Sequence, residues 1–206
     1  MKLFANIISI FFNPILMMTY GVVMVVTETY LSVYPLRMRM LLVGTTFFVT
    51  VVVPGLYILM LVLWGKASDL ELTNRKERLR PYFIFIFTQI LSVFLLKKIM
   101  IPEWFINIVY GSIVALVISM VINFVWKISA HALGIGGITG GVMALSLAAH
   151  QNPFYFFIIL WLLAGLVGTA RVILQKHTIG QVCAGFALGW ICIFCGAIWN
   201  YYQIII

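Results

Sequence analysis

Acidic side chains are scarce in this chain: five Asp and Glu stand among 206 residues, and charged residues of both signs make up only 9%. A soluble globular domain carries about 25% charged residues. The shortage excludes a water-soluble fold, because a chain of this length has no core large enough to hide a composition that is 64% apolar. The carboxylates fall at 28, 69, 71, 77 and 103, too scattered for a metal-binding cluster, and no metal or other cofactor is expected. Cysteine is rare as well. Cys183, Cys192 and Cys195 share the last apolar run, lack the spacing and His neighbours of a metal site, and read as free thiols. Linkers rich in Ser or Pro, repeats and low-complexity tracts are absent, so residues 1–206 read as a single transmembrane domain. The 13 Lys and Arg give a formal net charge of +8, but they are few and lie mostly in short gaps between apolar runs. That pattern fits a membrane surface or an anionic ligand and not nucleic acid.

What the chain does have is continuous apolar sequence. Runs near residues 5–30, 40–64, 82–99, 104–126, 131–149, 154–172 and 178–202 can each cross about 30 Å of hydrocarbon. They do not alternate as barrel strands must. The expected fold is therefore all-α, a polytopic membrane bundle of six or seven transmembrane helices. The first run starts as a signal peptide does, but no small-residue cleavage site follows, so it reads as a retained span that bends at Pro14. The third run is the shortest and reads as tilted or partly interfacial.

If all seven runs cross, the gaps at 65–81, 127–130 and 173–177 open on one side with the N-terminus. Nine of the 13 basic residues lie there, as do His131 and His177. Three segments build that face, and each has two readings. The charged loop at 69–81, ending Arg80-Pro81, is either an ordinary positive-inside loop or part of an anion site. Ser129-Ala130-His131 is either a simple helix cap ahead of packing glycines 136, 137, 140 and 141, or a helix N-terminus offering a hydroxyl, backbone N–H groups and an imidazole to an anion. Arg171, closing one helix, and His177, opening the next, are either a membrane anchor and its neighbour or two walls of one pocket. Taken together, two imidazoles and two guanidiniums on one face of so charge-poor a chain fit phosphate chemistry. His150, in the gap at 150–153 on the opposite side, reads as an interfacial polar residue without a role.

The segments at 69–81, 128–131 and 170–181 resemble the three motifs of the type-2 phosphatidic acid phosphatase superfamily of integral-membrane lipid phosphatases: Lys-x6-Arg-Pro, Pro-Ser-Gly-His and Ser-Arg-x5-His-x3-Asp. Arg80-Pro81 looks like the end of the first, Ile128-Ser129-Ala130-His131 like the second, and Ala170-Arg171, His177 and Gln181 like the third, in the family's order and spacing. The likeness covers about half the chain. This sequence departs from the motifs at Thr73, where the first-motif Lys would stand and for which Arg75, Lys76 and Arg78 are the nearest basic residues. It departs also at Ile128, Ala130 and Ala170, and at Gln181 in place of Asp.

The resemblance implies a lipid phosphate as substrate and membrane lipids as surroundings, with hydrolysis of a phosphomonoester or diphosphate and no metal. His177 would be the nucleophile that forms a phosphohistidine, Gln181 its orienting partner, and His131 the proton carrier. Arg80, Arg171, Ser129, Ala130, Arg75 and Lys76 would hold phosphate oxygens. A Gln carbonyl can fix the His177 tautomer but brings no charge; Glu77, Glu71 and Asp69 on the same side are the candidates to supply one. Two other functions fit the same residues: a catalytically weakened relative that binds phospholipid, and a transporter of an anionic amphiphile. The basic-residue count points the motif face to the cytoplasm. The resemblance points to the outer face of a bacterial inner membrane, so the side stays open.

Overall fold

The computed structural model describes residues 1–72 and 74–199, and among these no strand occurs. The chain opens with α1 (Lys2–Phe11) and α2 (Pro14–Glu28). A helical stretch of 28 residues follows, α3 (Leu36–Phe47) passing through a π-helical turn (Phe48–Val52) into α4 (Val53–Leu63). A 3-10 turn (Arg75–Arg78) leads into α5 (Leu79–Lys98), then come α6 (Glu103–Val125), α7 (Ala130–Ala148), α8 (Phe154–Ile173) and α9 (Ile179–Ile198). Six stretches, Leu36–Leu63, Arg75–Lys98 and α6 to α9, are long and apolar enough to cross a membrane. The protein is an all-α polytopic membrane bundle.

The first apolar run differs most from a plain span. α1 and α2 together are apolar enough to cross but are bent by 55°. Asn13 ends one helix and caps the next, its Oδ1 accepting from the Ile15 N–H at 3.1 Å, while Pro14 starts α2 at a position where its missing N–H costs nothing. The second run is longer than its apolar residues suggest and contains the π turn. Pro54 offers no N–H there, and the Val53 N–H reaches back to the Phe48 carbonyl. The third run is not short: with its 3-10 turn it spans 24 residues. The end of the last run, beyond 199, and Thr73 lie outside the described residues.

α7 and α9 form the tightest seam. A Cβ added at Gly189 would stand 2.0 Å from the Leu133 carbonyl oxygen, and one at Gly136 would stand 2.2 Å from that of Phe186. Only hydrogen fits, so the two backbones touch. Both helices start on the same side of the bundle, and the Ser129 N–H donates to the Gln181 carbonyl at 3.3 Å. The seam thus sets the segment before α7, which carries His131, against the segment before α9, which carries His177. At the far side Trp104 Nε1 donates to the Tyr30 hydroxyl at 2.6 Å, tying the start of α6 to the turn after α2.

Candidate functional site

His131, Arg171, His177 and Arg78 line one cavity and are each nearly buried. His131, Arg171 and His177 are expected there from the sequence; Arg78, named only as a stand-in for the first-motif Lys, stands where Arg80 is expected. Helical spacing explains the exchange. Arg78, Pro81, Tyr82, Phe85 and Gln89 recur at three- and four-residue intervals and all line the cavity, whereas Arg80 lies about 200° round the helix from Arg78 and is exposed, on the side of Phe83 and Phe87. Arg78 is held by two carbonyls: Nε donates to Leu72 at 2.7 Å and Nη1 to Ile128 at 3.1 Å. It thereby links the charged loop to the segment before α7.

The other basic candidates of that loop also stay out of the cavity. Arg75 Nη1 donates to the Val125 carbonyl at 2.5 Å and its own carbonyl accepts from Asn123 Nδ2 at 3.0 Å, so it fastens the loop to the end of α6. Lys76 is exposed, and its N–H is taken by Asn74 Oδ1. Ser129 is fully buried and caps α7, accepting from the Ala132 N–H at 3.3 Å, while Ala130 lines the cavity beside His131. His150 lies past the far end of α7 with a left-handed φ of 51°.

Gln181 has two tasks at once. Thr178 and Gln181 make a capping box at the start of α9, the Gln181 N–H going to Thr178 Oγ1 and the Thr178 N–H to Gln181 Oε1 at 3.3 Å. A backbone N–H requires an acceptor, so the atom it meets is the amide oxygen. The same oxygen lies 3.1 Å from His177 Nδ1. Nδ1 therefore carries the proton, and Nε2 carries the free lone pair. Burial first, and then the Arg78 charge, push His177 down from 6.5 to about 3 against the opposing Gln181 bond. At neutral pH the ring is uncharged, with a lone pair that could attack an electrophile. Lys127, whose Nζ donates to the Lys176 carbonyl at 3.0 Å, is lowered by burial and then by the charges of Arg78, Lys176 and Arg171.

The two glutamates of the charged loop are engaged elsewhere than at the His177 ring. Glu71 pairs with Arg171 Nη2 at 3.3 Å and with Lys176 at 3.6 Å, and Glu77 binds the Ser68 N–H and hydroxyl and Asn74. Among the described residues no three His, Cys, Asp or Glu side chains group closely enough to hold a metal ion.

Sequence reasoning missed Ser9. This buried residue of α1 accepts a hydrogen bond from Arg171 Nη1 at its hydroxyl, and its carbonyl lies 3.1 Å from His131 Nε2. The carbonyl can only accept, so Nε2 bears hydrogen. Two donors that would meet an anion are thus met by two oxygens of one residue. Arg171 Nε remains buried without a partner. The only signal in the sequence is a small polar residue inside the apolar run. No family model matches the chain, and no curated protein and no solved structure matches it.

Proposed function

We propose that the protein is a membrane lipid phosphatase, hydrolysing a phosphomonoester or diphosphate of a lipid through a phosphohistidine on His177. The observation that carries the reading is the locked His177 ring, neutral, with Nδ1 on Gln181 and Nε2 free, on a cavity shared with Arg78, Arg171 and His131. Nε2 attacks the terminal phosphorus and the bond from phosphorus to the leaving oxygen breaks. Arg78 and Arg171 balance the charge on the equatorial oxygens. His131, in its protonated form, gives the leaving oxygen a proton from Nε2, releasing a lipid alcohol from a phosphomonoester or a lipid monophosphate from a diphosphate. It then takes a proton from water, whose oxygen attacks phosphorus; the P–N bond breaks and inorganic phosphate leaves. For that exchange the Ser9 oxygens must yield Arg171 and His131 to the substrate. The reading places the protein in a bacterial inner membrane, as the motif resemblance implies.

A second reading has its own support. Gln181 adds no negative charge to steady a phosphorylated ring, and Ser9 already satisfies two donors, which fits a protein that binds phospholipid headgroups without turnover. Purified protein in detergent, given lipid phosphates and diphosphates, separates the two. The phosphatase releases phosphate, needs His177, is inhibited by vanadate and yields an acid-labile phosphoenzyme. Binding of the same lipids with no release in any variant supports the binder instead. A carrier of anionic amphiphiles would act only across a sealed membrane.

A further inference from the structure

The cavity that holds the four cationic and imidazole side chains does not stop at them. Its volume is about 790 Å³, and its wall follows α7 from Ala130 to Ala149, a rise of about 28 Å and so nearly the whole hydrocarbon thickness. At one end stand Arg78, Arg171, His131 and His177, with Glu71 paired to Arg171; at the other stand Glu28, Tyr30, Trp104 and Gln151. Between them the wall is largely apolar, with Met17, Val22, Phe105, Ile108, Leu145 and Ile193. Spread over that length, the cavity is an elongated path and not a round chamber. The unpartnered Arg171 Nε lies at its cationic end.

We infer that this path holds one long hydrocarbon chain of an anionic amphiphile, drawn inside the bundle with its phosphate at the cationic end. The inference rests on the proposed phosphate site for its headgroup but not on turnover there. A cationic end fixes the direction of entry, and the apolar wall offers the chain buried contacts inside the bundle. A single chain can follow an elongated path from end to end; the two chains of a diacyl lipid would have to lie side by side from the headgroup onward. Gly21, midway along α2, keeps the path open: it lines the cavity, and a Cβ built there meets nothing within 4 Å. Gln89, midway along α5, lines it too and leaves its Oε1 without a partner, which a hydrocarbon ligand does not need.

The probes are hexadecyl phosphate, hexyl phosphate and dioleoyl phosphatidic acid, each given to the full chain in detergent. Gly21→Leu inserts a side chain into open space without a collision and improves helix propensity, so it should fold. It should lower the ratio of hexadecyl to hexyl phosphate kcat/KM by about tenfold or more, the effect of displacing two or more buried methylenes. Gly44→Leu, on an exposed helix face away from the cavity, should leave the ratio unchanged, and Gln89→Leu should keep or raise it. An unchanged ratio in Gly21→Leu overturns the inference. So does loss of long-chain preference in Gln89→Leu alone, which would mean a polar occupant, or hydrolysis of dioleoyl phosphatidic acid as efficient as that of hexadecyl phosphate and equally blocked by Gly21→Leu. If the wild-type chain releases no phosphate from any probe, the phosphatase reading fails, and retained hexadecyl phosphate is counted by native mass spectrometry instead. Retention lost in Gly21→Leu supports the tail path, and retention unaffected by it sinks the path as well.

Discussion

The two parts of the molecule that meet at His131 are built in opposite ways. α7 and α9 touch along their backbones through glycines that tolerate no added carbon. α1 packs mainly on α8, turns Leu3, Phe4, Ile7, Ile10 and Phe11 outward, and joins the bundle after a 55° bend. The first arrangement fixes the positions of two imidazoles. The second brings Ser9 to the same place. A site that must hold geometry yet admit a substrate needs both kinds of part, and the contrast says which part should be rigid and which should yield.

The sharpest break falls on the rigid side. His177→Gln should abolish phosphate release and the phosphoenzyme while leaving the protein folded, because it removes the proposed nucleophile; release that survives it would end the proposed mechanism. Next comes the seam itself. Gly189→Leu should cost about 1–3 kcal/mol or more, since the obstacle is the Leu133 carbonyl and not a side chain that can turn away. Thermal unfolding in detergent should reveal it as a clear loss of stability or of folded protein, with Gly44→Leu unaffected.

A smaller effect sharpens the choice between two arginines. Arg78→Lys keeps the charge but loses the fork that spans Leu72 and Ile128, and should lower kcat/KM by about a hundredfold. Arg80→Lys should change it by less than about twofold, as expected for an exposed surface substitution. Equal losses would mean that Arg80 swings into the site when substrate is bound.

These arginines also mark how far the sequence could be read. The apolar runs announced the spans because lipid demands an uninterrupted length, and His131, Arg171 and His177 were legible because each stands at the edge of a run, where a polar group signals the membrane face. The motif-like Arg80-Pro81 drew attention two residues too far, because the residue that faces the cavity depends on how the 3-10 turn enters α5. Ser9 was not legible, since its partners lie 122 and 162 residues away and no local pattern encodes that contact. The capping box of Thr178 and Gln181 could have been recognised from spacing alone, and it explains why a Gln of this length fits where a shorter carboxylate would have to stretch.

Gln181→Glu keeps that reach and adds the missing charge. It should raise phosphate release several-fold, and more than Gln181→Asp, whose side chain is one methylene shorter. It should also change the pH profile. In the wild-type chain His177 is neutral down to about 3, so its protonation does not limit the rate between about pH 5 and about pH 8. A carboxylate beside Nδ1 favours the imidazolium and raises the folded value. The variant should therefore lose activity as pH falls through that range. Stability carries the matching sign: with the folded value depressed below the unfolded 6.5, His177 contributes stability above 6.5 that is lost as pH falls from there toward 3. The new charge should shrink that loss. A flat profile in Gln181→Glu would mean that the carboxylate does not reach the ring.

The smallest expected effect tests the yielding side. Ser9→Ala removes the hydroxyl that Arg171 Nη1 contacts but leaves the backbone carbonyl beside His131. If Ser9 stands in for a phosphate oxygen, vanadate no longer competes with it for Arg171. Binding should then tighten by about two- to fivefold, in line with a net hydrogen-bond contribution of about 1 kcal/mol. If the hydroxyl instead holds the guanidinium in place for the substrate, the same change should weaken vanadate binding and leave Arg171 to its Glu71 partner alone. Ser9→Thr separates a lost bond from lost packing, because it keeps an oxygen for Arg171 while adding a methyl group to the α1 contact. Tightening in Ser9→Ala with wild-type affinity in Ser9→Thr would identify α1 as the part that withdraws when the anion arrives; weakening in Ser9→Ala restored by Ser9→Thr would make Ser9 a positioning residue and α1 a fixed wall.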